Sequence, residues 1–257
     1  MGSSSGRRTQ IINRLVLWNI DLTLMDVARV SREAYAEAFR RVTGRPLVAL
    51  PQLAGRSDSE IFFESLALND VPSASDISAG GALAGQELLA KYTWELAEAF
   101  GARRELLTQQ GRLLPGAAAA VRATAALPGV LQSVLTGTIR PNATLKLAAF
   151  GLSDYFDLDI GGFGADVYPK GSQLLRCRTQ AEEKYRTSVP AGATVYLADS
   201  GRDVAAARIA GVPCIAVASG RSTASGLADA DLVLADLSDT AAVVAAVERL
   251  TRVVSTG

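Results

Sequence analysis

The sequence predicts a Rossmann-like parallel α/β core interrupted early by an all-helical cap domain, and three observations predict it. A short apolar run, Leu15-Val16-Leu17-Trp18, leads into polar residues, as a buried parallel strand does. From Leu114 onward, strand-length apolar runs alternate with helical stretches, the pattern of a parallel sheet with covered faces. Between Asp26 and Leu114 the apolar residues recur at helical spacing and no run reads as a strand. The core is therefore expected over 11–25 and 115–257 and the helical cap over 26–114. Residues 1–10, opening Met1-Gly2-Ser3-Ser4-Ser5-Gly6, read as an appended leader outside the fold.

The elements follow in order. The first strand ends in Asn19, Asp21 and Thr23 at two-residue spacing, so Asn19 and Asp21 share one side of the crevice at its carboxyl end. Ser31 is a candidate cap for a helix over 31–41, with Tyr35, Ala36 and Phe39 on its apolar face and Gly44 as its stop. Ser57-Asp58-Ser59-Glu60 has the form of a capping box and opens a helix to about residue 68. Leu88, Leu89, Tyr92, Leu96 and Phe100 place a third helix over 83–100. Pro115-Gly116 marks re-entry into the core, and Ala117 begins a small-residue helix broken by Pro128-Gly129. A second strand over 130–135 ends in Thr136-Gly137-Thr138. Pro141 then starts a helix to Phe150, with Gly151 as its cap. Residues 156–160 read as a short strand or extended piece, and Lys170 as a loop residue before a helix over 172–185. A strand over 194–197 runs into Ala198-Asp199-Ser200, followed by a helix over 203–210 closed by Gly211. Strands over 214–217 and 232–234 and a helix over 239–253 complete the core.

Composition narrows the function. The 257 residues are 49% hydrophobic and 20% charged, which suits one or two soluble domains with a sizeable core. Acidic and basic residues number 26 each and no basic run occurs, so nucleic acid is not an expected partner. No apolar stretch approaches the roughly 20 residues of a membrane span, and no secretory signal is visible, so a cytoplasmic protein without a membrane partner is expected. Cys177 and Cys214 fall in core elements and read as buried thiols. Histidine is absent, which removes His-based triads and His metal sites and leaves carboxylates, Lys and water for acid/base work.

Four pieces, in order, resemble the haloacid dehalogenase (HAD) superfamily. The strand ending Asn19-Ile20-Asp21-Leu22-Thr23 is similar to the family's Asp-x-Asp-x-Thr motif. Thr136 matches its Ser/Thr position, and Lys170 its Lys/Arg position. Ala198-Asp199-Ser200-Gly201-Arg202-Asp203 resembles its Gly-Asp-x-x-x-Asp motif, and Ala205-Ala206-Ala207-Arg208-Ile209-Ala210-Gly211-Val212-Pro213 also looks like the family. Singly, each piece reads as ordinary strand-end, turn or capping chemistry; their common order is what carries the resemblance. It implies a magnesium-dependent phosphomonoester hydrolase working through an aspartyl-phosphate. The nucleophile position falls on Asn19 and the general acid/base on Asp21. Thr136 and Lys170 contact the phosphoryl group and nucleophile, and Thr23, Gly137 and Thr138 line the substrate. Mg2+ is expected at Asn19, the Asp21 carbonyl and Asp199, with Asp203 orienting the shell.

Asn19 is the departure from the pattern. A carboxamide is neutral and a poor nucleophile, so the chain is expected to be inactive or very slow. Three origins compete: an Asp-to-Asn replacement disabling an active enzyme, an inert relative that binds a phosphorylated ligand, and slow turnover by another route. The cap resembles the phosphoglycolate phosphatase and β-phosphoglucomutase branch, which points to a small phosphomonoester as partner and keeps a sugar phosphomutase as an alternative. Leu53-Ala54-Gly55-Arg56-Ser57-Asp58 looks like that branch's specificity loop, with Arg56 the candidate substrate contact. A 2-haloacid dehalogenase is disfavoured by Asp21. A monomer or homodimer is expected.

Overall fold

The computed structural model of the chain describes residues 12–71, 82–165, 169–220, 222 and 224–251, and the leader expected over 1–10 lies outside them. Strand β1 (Arg14–Trp18) is followed by the two-residue β2 (Met25–Asp26), which pairs antiparallel with β3 (Arg112–Leu113). The main sheet is completed by β4 (Val130–Val134), β5 (Thr194–Ala198), β6 (Cys214–Val217) and β7 (Leu232–Leu234). Its strands are parallel and run β4-β1-β5-β6-β7. The chain leaves β1 for β4 on one side and returns for β5 on the other, so strand order reverses at β1. Ligand crevices of open α/β sheets form at such a reversal, outside the carboxyl ends.

The sheet forms because alternate side chains of the apolar strands feed two different cores. Leu15 and Leu17 pack with Tyr196, Leu174 and Ala207 on one face. Val16 and Trp18 pack with Val195, Leu197 and Ile215 on the other, in a cluster continuous with the helical layer at Tyr92, Leu96 and Phe100. The Trp18 indole N–H, fully buried, donates to Gln132 Oε1 at 2.9 Å. Trp18 pairs with Val134 on one side and Leu197 on the other, which brings the three polar segments after β1, β4 and β5 out at one level.

The inserted layer consists of α1 (Ala28–Thr43), α2 (Asp58–Leu68), α3 (Ala82–Gly101) and α4 (Leu106–Gln110). Helices α1 and α3 pack together, and Phe62 of α2 stacks on Tyr92 of α3 with ring centroids 4.0 Å apart. The capping box forms: Ser57 N–H donates to Glu60 Oε2 and Glu60 N–H to Ser57 Oγ. Two expectations are corrected here. Helix α1 begins three residues before Ser31, where Asp26 Oδ1 receives the Ala28 N–H, so Ser31 is inside the helix and caps nothing. The stretch between Asp26 and Leu114 also contains a strand, β3, whose two residues are too few to leave a sequence pattern.

The core helices are α5 (Ala117–Ala125), α6 (Arg140–Ala149), α7 (Lys170–Tyr185), α8 (Gly201–Ile209), α9 (Ala224–Leu227) and α10 (Thr240–Leu250). Residues 156–160 form no strand; two 3-10 turns, Ser153–Tyr155 and Leu158–Ile160, flank Asp157, whose side chain accepts the Asp159 N–H. Helix α8 begins at Gly201, two residues before the expected 203, and is capped by Ser200; Lys170 is the first residue of α7 and not a loop residue. Cys177 and Cys214 are both buried. Among the described residues no helix is long and apolar enough to cross a membrane.

Candidate active site

The ends of β1 and β5 meet at Asn19 and Asp199. Asn19 N–H donates to the Leu197 carbonyl at 2.8 Å, which holds the first residue after β1 against the end of β5. Its side-chain amide then faces three oxygens: Asp199 Oδ1 and the Asp21 carbonyl at 2.9 Å each, and Thr23 Oγ1 at 3.2 Å. Thr23 in turn donates to Asp199 Oδ1 at 3.0 Å. Asp199 is buried and has no cationic partner at ion-pair distance among the described residues. Burial first, then the negative charge of nearby Asp203, push its carboxyl up to about 7.

Asp21 turns the other way, towards β4 and α6. Lys146 Nζ donates to both of its oxygens, at 2.8 and 2.7 Å, and Thr138 Oγ1 donates to Oδ2 at 2.8 Å. The Lys146 side chain is only 2% exposed and its ammonium lies 5.5 Å from the centre of the Phe100 ring. Sequence reasoning missed this lysine. Its signal was its place on the buried face of α6 with Ala143 and Leu147, where an ammonium requires a buried partner.

Lys170 lies at the edge of the same site but is bonded to Asp203, which is completely buried. Asp203 also lies against Ser200 Oγ and, at 3.0 Å, Tyr196 Oη. Burial and the Asp203 charge hold the Tyr196 phenol well above its ordinary range, so it is a hydrogen-bond donor. Asp203 thus stands behind Lys170 and anchors it.

The inserted layer closes over these groups through the segment before α2. Gly137 allows its closest approach: a Cβ there would collide with the Arg56 carbonyl, and the Gly137 carbonyl accepts the Asp58 N–H at 2.7 Å. Asp58 then reaches back to the core. Its Oδ2 accepts the Ile139 N–H at 2.8 Å and its Oδ1 the Tyr35 hydroxyl at 2.6 Å. Burial drives its carboxyl up to about 6, against the lowering pull of the Tyr35 bond and the Lys146 charge. Arg56 is tied to Glu64 by an ion pair. Beneath this segment lies a cavity of about 80 Å³. Its walls include Asn19, Asp21, Thr136, Gly137, Thr138 and Lys170 from the core and Arg56 from the insertion, whereas Thr23 and Asp203 are not part of its lining. Thr136 Oγ1 accepts the Thr138 N–H at 3.2 Å.

The donor set suits a hard cation in kind. Three oxygens already converge on the Asn19 amide nitrogen, and rotating the amide presents its own oxygen to the same point. Oxygen donors of this type are what Mg2+ takes. No group of three or more His, Cys, Asp or Glu side chains fit to hold a metal occurs among the described residues. Of the three oxygens on the Asn19 amide, Asp199 Oδ1 is the carboxylate, beside the Asp21 main-chain oxygen and the Thr23 hydroxyl.

A family model for haloacid dehalogenase-like hydrolases matches residues 16–208, which spans the segments after β1, β4 and β5 that build this cavity. The chain belongs to the HAD family. Similar solved structures agree in fold. A putative haloacid dehalogenase-like hydrolase from Bacteroides fragilis is 21% identical with a TM-score of 0.61, covering 88% of this chain and 98% of that one. A predicted phosphoglycolate phosphatase from Haemophilus somnus is 16% identical with a TM-score of 0.60, over 90% and 97%. CbbY from Rhodobacter sphaeroides, an Asp-to-Asn mutant in complex with xylulose 1,5-bisphosphate, is 22% identical with a TM-score of 0.57, over 89% and 96%. No curated protein matches the chain. Within the HAD family fold, Asn19, Asp21, Thr136, Lys170 and Asp199 line one cavity, and Asp21 is paired with Lys146, a residue outside the expected set.

Proposed function

We propose that the chain is a HAD-type phosphatase scaffold for a small phosphomonoester, with residues 26–114 as its cap and position 19 disabled as a nucleophile. The observation that carries this reading is the joint placement of Asn19, Thr136, Lys170 and Asp199 at one small cavity closed by the Arg56 segment. A cavity of about 80 Å³ suits a metabolite and not a protein substrate. The mutant CbbY neighbour, solved with a sugar bisphosphate bound, supports a phosphorylated ligand for this fold.

The chain's own residues divide the work. The Thr136 hydroxyl and the Gly137 amide would hold phosphoryl oxygens, and Lys170, anchored by Asp203, would supply positive charge beside them. Mg2+ held by Asp199, the Asp21 carbonyl and the Asn19 amide oxygen would add charge stabilisation for the phosphoryl group. With Asp at position 19, the carboxylate would attack phosphorus and Asp21 would pass a proton to the leaving oxygen and later take one from water. With Asn19 the first bond does not form, so the ligand is bound and not turned over. The Arg56 segment would exclude water from the closed cavity.

A second reading, an inert binding protein, is favoured by one observation: both oxygens of Asp21 are occupied by Lys146. The deciding experiment measures phosphate release by the chain and its Asn19→Asp variant, with Mg2+ and a panel of small phosphomonoesters. Release by the variant alone supports the phosphatase scaffold. Release by neither, with both folded, supports the binding protein. Release by both would sink the assignment of position 19.

A further inference from the structure

The loop after β4, residues 136–139, carries much of the site. Thr136 and Gly137 line the cavity, and Thr138 Oγ1 donates to Asp21 and accepts from the Lys146 ammonium at 2.9 Å. Gly137 has no side chain to limit its rotation, so the conformation of the loop has to be held from outside. The core holds it at two points. Thr136 N–H donates to the Gly162 carbonyl, and Gly164 N–H to the Thr138 carbonyl, at 3.0 Å each. The Gly137 carbonyl and the Ile139 amide, which alternate with these along the chain, both meet one residue of the inserted layer, Asp58.

Asp58 grips the loop on either side of Thr138. Its main-chain N–H donates to the Gly137 carbonyl at 2.7 Å, and its Oδ2 accepts the Ile139 N–H at 2.8 Å. The residue is itself fixed. It is 1% exposed and opens α2 directly after the Ser57 cap, and its Oδ1 takes the Tyr35 hydroxyl at 2.6 Å. Ser59, the next residue, gives both its N–H and its hydroxyl to the Gly164 carbonyl. The first turn of α2 thus braces the loop directly through Asp58 and the core segment that supports it through Ser59.

We propose that Asp58 is a positioning residue of this site: from the inserted layer it clamps the 136–139 loop in the conformation that receives a phosphoryl group. This rests on the phosphomonoester reading given above. It adds that the insertion acts on phosphate binding through the core loop, apart from any contact it makes with the organic part of a ligand. Without the clamp the loop has to be ordered as the ligand arrives, and affinity falls by that ordering cost. The sign separates this role from a plain effect of charge. A carboxylate near a phosphate opposes its binding, so removing the charge alone tightens binding, whereas removing the clamp weakens it.

The test is calorimetric titration of inorganic phosphate, with Mg2+ present, into the chain and into Asp58→Asn, Asp58→Ala and Tyr35→Phe, with a thermal melt of each to show that it is folded. In Asp58→Asn the amide oxygen can accept the Ile139 N–H while the amide nitrogen donates to Tyr35 Oη, which keeps the clamp without the charge. This variant should bind phosphate at least as tightly as the parent. Asp58→Ala has neither charge nor side-chain clamp. It should bind about three- to tenfold more weakly than Asp58→Asn, the range of one neutral hydrogen bond. Tyr35→Phe keeps the charge, loses one hydroxyl and leaves the carboxyl free to swing away from Ile139. It should bind about two- to threefold more weakly than the parent. Equal affinity in Asp58→Asn and Asp58→Ala overturns the proposal, whatever their melting temperatures, because Asp58 is then a structural tie alone. Should Asp58→Ala not fold, unchanged affinity in Tyr35→Phe overturns it. Failure of inorganic phosphate to bind the parent chain would overturn the phosphomonoester reading itself and this inference with it.

Discussion

Asn19→Asp adds a charge where three oxygens already meet the side chain, and its first effect should be on stability. The amide nitrogen donates to Asp199 Oδ1 and to the Asp21 carbonyl at 2.9 Å each. A carboxylate there loses both bonds and sets two acceptor groups against each other. Two unit charges at about 4 Å repel by about 4 kcal/mol at an effective dielectric constant of about 20. Sharing one proton relieves part of this, so a net loss of about 2–4 kcal/mol at pH 8 without divalent cations is expected. For a chain of this length, each kcal/mol moves Tm by about 2–4 °C. Mg2+ at about 100 times its Kd should return about 2.7 kcal/mol to the variant, because the carboxylate pair binds it in the folded state alone. The assay is thermal unfolding of both proteins at pH 8 in EDTA and in MgCl2. The variant should melt lower than its parent in EDTA and gain more from Mg2+. Equal melting in EDTA, or an identical Mg2+ shift in both, would refute the claim that position 19 and Asp199 share one cation site.

In the Asn19→Asp background, Asp21→Asn should lower phosphate release by roughly 10²–10⁴-fold, the range of general acid/base catalysis; an unchanged rate would remove Asp21 from that role. Lys146→Met leaves the Asp21 carboxylate without its partner and should cost about 1–3 kcal/mol, below the usual penalty for breaking a buried pair because the Asp21 side chain is 37% exposed. The Asp21→Asn/Lys146→Met double variant should lose less than the two single losses combined, and additive losses in denaturant melts would show that the two side chains are not coupled. Asp58 gives a pH dependence of definite sign. Its folded pKa of about 6 lies above the ordinary 3.8, so the folded form holds the proton that the unfolded chain has released between those values. Its stabilising effect is complete below about pH 4 and is lost as pH rises through about 6, a change of about 3 kcal/mol. Asp58→Asn should flatten that part of the stability–pH curve; an unchanged slope would mean that another group titrates there.

The fold was legible because its signals were local. The apolar run of β1, the capping box at Ser57 and the Gly44 stop each depend on a few neighbouring residues, and each formed where its chemistry pointed. Failures came where distant contacts decide. Ser31 has the chemistry of a cap, but α1 begins at Ala28, directly after the β2–β3 pairing, with Val27 at the cap position and Asp26 Oδ1 accepting the Ala28 N–H. Residues 156–160 carry apolar side chains of strand type, yet Asp157 bonds locally to the Asp159 N–H and turns the chain. In the site, the strand-end residues could be found because register places them at one level. Lys146, the cationic partner of Asp21, could not, since it lies 125 residues away along the chain and meets it only once α6 has packed.

These long-range pairings determine what position 19 can do. Asp21 is neutralised by Lys146 and Asp203 by Lys170, each within a bond of its partner. Asp199 is left as the carboxylate of the site with amide and hydroxyl donors but no ammonium or guanidinium. With Asn at 19, that single charge has only neutral donors, which offset part of its burial and leave its carboxyl pushed up to about 7. With Asp at 19, the same pocket holds two adjoining carboxylates and requires a cation to be equally settled. On the function proposed above, the identity of one side chain would therefore separate two states of one scaffold: a site held by hydrogen bonds and suited to a ligand, and a charged site that would draw in a metal and could form a bond to phosphorus. That is why the stability measurement at position 19 and the phosphate-release measurement should move together.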